Sequence, residues 1–134
     1  MLILGVWDGH DAGAAIIEDN EIKVAINEER LSRRKLDIGF PNLAIKACLD
    51  YLDLKPSDVE AIACVGTQLS RVLARQFSFL DESFYKFRRR KMAKPRFERT
   101  RRFLKYRLAR FRTSWLGRFT KWQLSKKLRR LGFR

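Results

Sequence analysis

The stretch LILGVWDGHDAGAAIIEDNEIKVAINEERLSRRKLDIGFP, residues 2–41, decides the fold of this chain. Residues 2–7 and 14–17 are short apolar runs, and residues 22–26 alternate isoleucine and valine with other side chains. Runs of this kind predict β-strands. Turn-forming Gly, Asp and Asn residues separate the three runs, so the expected arrangement is a three-stranded meander.

A helix and a fourth strand are expected after the meander. Pro41 suits the first turn of a helix. The run at residues 61–65 is short and apolar, which is typical of a strand. The order of elements predicts the beginning of an α/β sheet with a helix on one face and an edge left open for further pairing. Apolar residues recur at helical spacing between the two elements, at Ile45, Cys48, Leu49 and Leu52.

The composition changes sharply after residue 82. Residues 1–82 carry 9 Lys plus Arg against 14 Asp plus Glu, whereas residues 83–134 carry 21 against 1. We therefore predict an α/β portion over residues 1–82 and a basic amphipathic helical extension over residues 83–134, with one helix at 96–131. The apolar stripe of that helix is formed by Leu104, Leu108, Phe111, Trp115, Phe119 and Trp122.

Three partners suit a helix with this pattern over residues 96–131. Its apolar stripe would dock on further parts of a longer enzyme. The same stripe with a basic polar face suits an anionic membrane surface. Basic charge interleaved with aromatic rings also suits RNA phosphates and stacked bases. The pattern alone leaves the three open.

The two cysteines bear on the cellular setting. Cys48 and Cys64 are expected to be free thiols in the core. Two cysteines make no disulfide framework, and neither a signal peptide nor a membrane-spanning stretch is visible. A cytoplasmic location is therefore expected. No set of Cys and His with metal-ligand spacing occurs, so no metal is expected on this segment alone.

The turn between the first two strands carries the first set of candidate site residues, Asp8, Gly9, His10, Asp11 and Gly13. His10 is the only histidine, so proton transfer through an imidazole near neutral pH must use it. The two aspartates could orient it, and the glycines would let backbone N–H groups approach a phosphate or carboxylate. The alternative is a tight hydrophilic surface turn.

Opposite charges are concentrated where the third strand pattern stops. Glu28, Glu29 and Arg30 are followed by Arg33 and Lys35. Arginine forks could bind an anionic substrate there while a carboxylate positions it. The alternative is a solvated, self-neutralising surface run.

Three motifs occur in order along this stretch: HDAGAA at residues 10–15, NEERLSR at 27–33 and GFP at 39–41. Together they resemble the start of the carbamoyltransferase family that includes nodulation-factor and antibiotic carbamoyltransferases. The resemblance implies the actin-like fold of sugar kinases and heat-shock ATPases, with a further domain similar to threonylcarbamoyl-adenylate synthases. It also implies ATP and carbamoyl phosphate as substrates, a carbamoyl-adenylate intermediate and transfer to an acceptor hydroxyl.

The resemblance also implies roles for the candidate residues. His10 matches the family's active-site histidine, Asp11 lies beside it, and the charged segment from Glu28 to Arg33 matches the segment that closes the site. The family's metal-ligand histidines belong to later sequence. Where a common form of the pattern has a histidine after the basic pair, this chain has Leu36 after Lys35, which leaves the acceptor and the acid–base scheme open.

The expectation is the amino-terminal portion of a carbamoyltransferase, inactive by itself. It would need the remainder of a polypeptide or another chain to complete its sheet, and a small-molecule acceptor. The alternative is a non-enzymatic protein that binds RNA or an anionic membrane through the basic helix.

Overall fold

The structure is a computed structural model that describes residues 1–9, 11–65, 79, 82–83, 85–86 and 114–134, with residues 65 and 114–116 described by their backbone alone. The strands and the central helix predicted from the sequence are confirmed. In chain order the elements are β1 (Leu2–Trp7), β2 (Gly13–Glu18), β3 (Glu21–Asn27), α1 (Glu28–Ser32), α2 (Asn42–Tyr51), a short 3-10 helix (Pro56–Asp58), β4 (Ala61–Val65) and α3 (Ser114–Arg130).

The four strands form one mixed sheet in the order β3-β2-β1-β4. β1 pairs antiparallel with β2, and β2 pairs antiparallel with β3, which is the predicted meander. β4 pairs parallel with β1 on the other side. The β2–β3 connection has left-handed backbone at Asp19 (φ 48°) and Asn20 (φ 68°), as a two-residue hairpin turn requires.

The core lies between one face of the sheet and α2. Leu4 pairs in register with Ile16, and both side chains are fully buried. Each apolar side chain buried in this way contributes about 1.5–3 kcal/mol through the hydrophobic effect. Helix α2 supplies the facing layer with four buried residues, Ala44, Ile45, Cys48 and Leu49.

Both cysteines are free thiols, as expected. Cys48 is fully buried, and its Sγ lies 3.6 Å from the carbonyl oxygen of Ala14. Burial raises the pKa of the Cys48 thiol, because an apolar environment disfavours the thiolate. Cys64 on β4 is half-buried.

The chain forms two compact units. One comprises Met1–Gly66 together with Leu124–Arg134, and the other comprises Thr67–Gln123. In the first unit the final segment adds three buried side chains to the core, Leu124, Leu128 and Phe133.

The end of α3 is closed by a Schellman motif. Gly132 has φ 94°, and its N–H donates to the carbonyl oxygen of Arg129. The N–H of Phe133 donates to the carbonyl oxygen of Leu128 over 3.2 Å. The Lys127 Nζ also lies 5.2 Å from the centre of the Phe40 ring, a cation–π contact. These contacts fix the final residues within the first unit.

Part of the predicted helix at 96–131 coincides with α3. Residues 96–113 of the predicted helix lie outside the described residues. So do most of the residues after position 82, where the composition changes. The basic extension as a whole and the division after residue 82 therefore stay predictions. Within the described ranges no helix is long and apolar enough to cross a membrane.

Helix α1 was not expected from the sequence. Its N-cap residue Asn27 is extended (φ −88°, ψ 141°), and Glu28 and Glu29 occupy the first turn, where carboxylates favour the positive end of the helix dipole. The helix ends at Arg33, which is left-handed (φ 58°). Pro41, expected in the first turn of a helix, is instead the N-cap residue of α2, a shift of the kind that element boundaries commonly show.

Candidate active site at one edge of the sheet

One edge of the sheet collects both predicted groups of site residues. Asn27 pairs with Gly13, Gly13 with Trp7, and Trp7 with Val65. The segments that follow β1, β3 and β4 therefore leave the sheet at this same edge. Carboxyl ends of strands in open α/β sheets are the places where ligands bind.

The turn between β1 and β2 is held by backbone hydrogen bonds on both sides. The Ala12 N–H donates to the carbonyl oxygen of Asp37 over 3.2 Å, and the Ala12 carbonyl oxygen accepts from the N–H of Glu28 over 2.7 Å. Asp8 and Gly9 are buried, whereas Asp11 is exposed and left-handed (φ 54°). His10 lies outside the described residues, so its proposed role stays a prediction.

Gly13 is a glycine for a steric reason. A Cβ built on it would lie 2.8 Å from the carbonyl oxygen of Ile26 and 3.1 Å from the Asn27 Oδ1. Positive φ is not the reason, because Gly13 does not have one. Its lack of a side chain lets β2 and β3 approach each other closely, while anion binding at Gly9 and Gly13 stays a prediction.

The Glu28 side chain faces the protein, not solvent. The residue is 8% exposed. Its Oε1 accepts a hydrogen bond from the N–H of Leu43 over 3.0 Å, and its Oε2 accepts from the N–H of Ala44 over 2.7 Å. Those two N–H groups belong to the first turn of α2 and have no partner within the helix. The carboxylate of α1 therefore caps α2.

Glu29 makes a similar contact with the loop that follows α1. Its Oε2 accepts from the N–H of Leu36 over 2.7 Å. The loop is tightly curled, because Arg33 (φ 58°), Leu36 (φ 59°) and Gly39 (φ 121°) all have positive φ. A left-handed residue other than glycine costs roughly 1–2 kcal/mol. The Glu29 contact offsets part of that cost.

Asp37 is the second anchor of this loop and was not among the predicted site residues. Besides the bond from Ala12 to its carbonyl oxygen, its Oδ1 accepts from the N–H of Ile38 over 2.9 Å and lies 3.8 Å from the Nε of Arg34. The pattern Leu36-Asp37-Ile38-Gly39 signals a turn. The contact with Ala12, 25 positions earlier, cannot be predicted from the local sequence.

The predicted cations lie on the outside of the same segment. Arg30, Arg33 and Lys35 are all exposed. The structure thus brings the turn and the charged segment together at one edge of the sheet. It separates the charged segment into two glutamates that bind backbone N–H groups and three cations that face solvent. Within the described parts of the chain, no group of three or more His, Cys, Asp or Glu residues could bind a metal ion.

Comparison with known proteins places this chain in a family. The model of the carbamoyltransferase N-terminus family matches residues 2–118. A segment of 65 residues is 35% identical to an uncharacterised protein of Methanocaldococcus jannaschii, covering 48% of this chain and 12% of the relative. A segment of 73 residues is 34% identical to the nodulation protein NolNO of Sinorhizobium fredii, covering 50% of this chain and 11% of the relative.

A third relative is an uncharacterised protein of Synechocystis, which is 38% identical over 53 residues, or 40% of this chain and 9% of the relative. The matched segment thus spans about a tenth of the length of each of these three relatives. The match to the family covers most of the chain, and it confirms the resemblance seen in the three motifs. The chain belongs to the carbamoyltransferase N-terminus family.

Proposed function

We propose that this chain supplies the amino-terminal part of a carbamoyltransferase active site. The observation that carries the proposal is the family match over residues 2–118. In the proposed reaction water first cleaves carbamoyl phosphate to carbamate and inorganic phosphate. A carbamate oxygen then attacks the α-phosphorus of ATP, which forms carbamoyl-adenylate and releases pyrophosphate. The acceptor hydroxyl then attacks the carbamoyl carbon, and AMP leaves.

The turn after β1 supplies the proton chemistry in this proposal. The acceptor hydroxyl must lose its proton as it attacks, and His10 is the only imidazole of the chain. Asp11 is the neighbouring carboxylate that stabilises the imidazolium. Support comes from the place of the turn, which lies where the carboxyl ends of β1, β3 and β4 meet.

Recognition of the phosphates falls to the exposed cations in this proposal. ATP and carbamoyl phosphate are both anions, and arginine forks bind phosphate oxygens in a bidentate manner. Arg30 and Arg33 with Lys35 would supply that charge, and the backbone at Gly9 and Gly13 would add N–H donors. The buried Asp8 lies in the same turn as these glycines and would border the phosphate site.

Completion of the site requires more protein than the described residues provide. Within the described part of the chain β4 is an edge strand, and an open edge invites further pairing. We propose that the remainder of a longer polypeptide, or another chain, completes the sheet and brings the acceptor. We also propose a cytoplasmic setting for this reaction. The isolated chain should therefore bind phosphate anions weakly and turn over no substrate.

The test is a graft into a longer relative. The 73-residue segment of nodulation protein NolNO that matches this chain is replaced by the matching segment of this chain. We expect the graft to transfer labelled carbamoyl groups from carbamoyl phosphate in an ATP-dependent manner, and the isolated chain to transfer none. Transfer by the isolated chain would contradict the incomplete site, and an inactive, folded graft would contradict the shared function.

A second candidate function rests on the exposed side of α3. Arg118, Lys121 and Trp122 are exposed there, and the Trp122 ring stacks on Phe119 with centroids 5.5 Å apart. Cations beside an exposed aromatic ring suit RNA or an anionic membrane. Binding of this kind should weaken steeply with salt. Titrations with single-stranded RNA and with anionic vesicles, each at two salt concentrations, distinguish RNA binding from membrane binding. If the chain binds neither, this second function is rejected.

A further inference from the structure

The sequence places Glu28 in a predicted substrate- and anion-binding segment, and the structure shows its hydrogen bonds to the backbone. Both carboxylate oxygens accept backbone N–H groups of α2, and the Glu28 N–H donates to the carbonyl oxygen of Ala12. We propose that Glu28 is a positioning residue, which couples the turn after β1 to the core helix α2. The catalytic meaning of this role rests on the proposed function, whereas the coupling itself does not.

The amino-terminal end of α2 explains why a carboxylate is needed at position 28. Pro41 is the N-cap residue and provides no side-chain cap. The N–H groups of Leu43 and Ala44 would then be left without acceptors beside a buried core. Glu28 supplies one oxygen to each N–H group and places a negative charge at the positive end of the helix dipole. Both oxygens of the Glu28 carboxylate therefore accept hydrogen bonds from α2, and phosphate recognition in this proposal depends on the cations.

The same residue reaches the turn through its backbone. The 2.7 Å bond from the Glu28 N–H to the Ala12 carbonyl oxygen fixes one side of the turn. Because the side chain of Glu28 is held by α2, and α2 is anchored by the buried Ile45 and Cys48, the position of Ala12 depends on the core. Ala12 lies two positions after His10 in the sequence, so a shift of Ala12 would move the proposed catalytic side chain.

Glu29 secures the other side of the turn by a second route. Its Oε2 binds the N–H of Leu36, the residue before Asp37. The Asp37 carbonyl oxygen in turn accepts the Ala12 N–H over 3.2 Å. The two adjacent glutamates of α1 therefore support the two backbone hydrogen bonds of one residue. Glu28 does so directly, and Glu29 does so through the loop.

The experiment measures amide hydrogen exchange in the full 134-residue chain. In Glu28→Ala we expect exchange of the Leu43, Ala44 and Ala12 amides to accelerate roughly ten- to a hundredfold. Glu28→Gln offers one oxygen and one NH₂ group to two N–H donors, so it should give an intermediate acceleration. This second variant keeps the test decisive if Glu28→Ala does not fold.

Glu60→Ala is the matched control. The Glu60 Oε1 accepts a hydrogen bond from the N–H of Leu2 over 2.8 Å, so it is also a carboxylate bound to backbone, at the other end of β1. Its removal should accelerate exchange near Leu2 and leave Ala12 unchanged. Acceleration of Leu43 and Ala44 without Ala12 in Glu28→Ala would show a cap only and overturn the proposal. Equal acceleration of all amides would show general destabilisation and overturn it as well.

The graft provides the catalytic readout. A positioning role predicts that Glu28→Ala lowers kcat for carbamoyl transfer while KM for carbamoyl phosphate is unchanged, and that Glu28→Gln restores part of kcat. A raised KM with unchanged kcat would assign Glu28 to substrate and overturn the proposal. If the unaltered graft is inactive, the proposed function fails, while the exchange results still decide whether Glu28 couples the turn to α2.

Discussion

Gly13 and Gly5 provide a matched pair of substitutions, because both lie in central strands and only one has space for a side chain. A Cβ on Gly13 would lie 2.8 Å from the carbonyl oxygen of Ile26, whereas a Cβ on Gly5 would lie 3.7 Å from the carbonyl oxygen of Ala15. The first distance requires the backbone of β3 to move, and the second is an ordinary contact. Gly13→Ala should therefore destabilise the chain and Gly5→Ala should not.

The magnitude follows from two opposing effects. Overpacking costs about 1–3 kcal/mol, and replacing glycine by alanine lowers the entropy of the unfolded chain, which stabilises by about 0.4–1 kcal/mol. Gly13→Ala should lose about 1–2 kcal/mol of unfolding free energy. Gly5→Ala shows only the second effect, so it should gain about 0.4–1 kcal/mol.

Urea unfolding followed by circular dichroism measures both variants. The midpoint of Gly13→Ala should fall by about 0.5–1.5 M, and that of Gly5→Ala should stay or rise slightly, with the slope m unchanged. Equal midpoints for the two variants would refute the steric account of Gly13. The glycine would then have to be explained by the proposed anion site instead.

Three further predictions concern Leu128, Gly132 and Cys48. Leu128→Ala should cost about 2–5 kcal/mol, because Leu128 is 8% exposed in the first unit; a change under 1 kcal/mol in urea unfolding would show that α3 adds little. Gly132→Ala should cost about 1 kcal/mol in the same assay, because φ is 94° and a Cβ would lie 3.3 Å from the Pro56 Cγ. For Cys48, burial raises the folded-state thiol pKa, so the thiol's contribution to stability is present below the unfolded pKa of about 8.5 and declines above it. Between pH 8 and pH 10 the unfolding free energy measured in urea should therefore fall more in the parent chain than in Cys48→Ala. An equal fall in both chains would contradict the burial of Cys48.

The strands and α2 were predictable because their signals are local. The apolar run in β1, the alternation in β3 and the helical spacing between Ile45 and Leu52 are all visible within a few consecutive residues. Helix α1 was missed because five residues are too few to show a helical period. Its only signals are the acidic pair after Asn27 and the position of Arg30 near its end.

The sequence predicts a set of candidate site residues but not their arrangement. The motifs identified the turn and the charged segment, yet two runs of three charged residues, 28–30 and 33–35, give no indication of which side chain faces inward. Glu28 reaches N–H groups 15 and 16 residues later, and such contacts depend on how α2 packs on the sheet. The need for glycine at position 13 likewise comes from a contact across the sheet, with the carbonyl oxygen of Ile26 in β3.

The most direct measurement of the central claim is carbamoyl transfer by the graft with and without His10→Ala. If His10 accepts the proton of the acceptor hydroxyl, transfer should fall by roughly 10²–10⁴-fold. Exchange of pyrophosphate into ATP that depends on carbamoyl phosphate should be unchanged, because adenylate formation precedes that proton transfer. Retained transfer in His10→Ala, or an equal loss of both reactions, would contradict the proposed role of the turn.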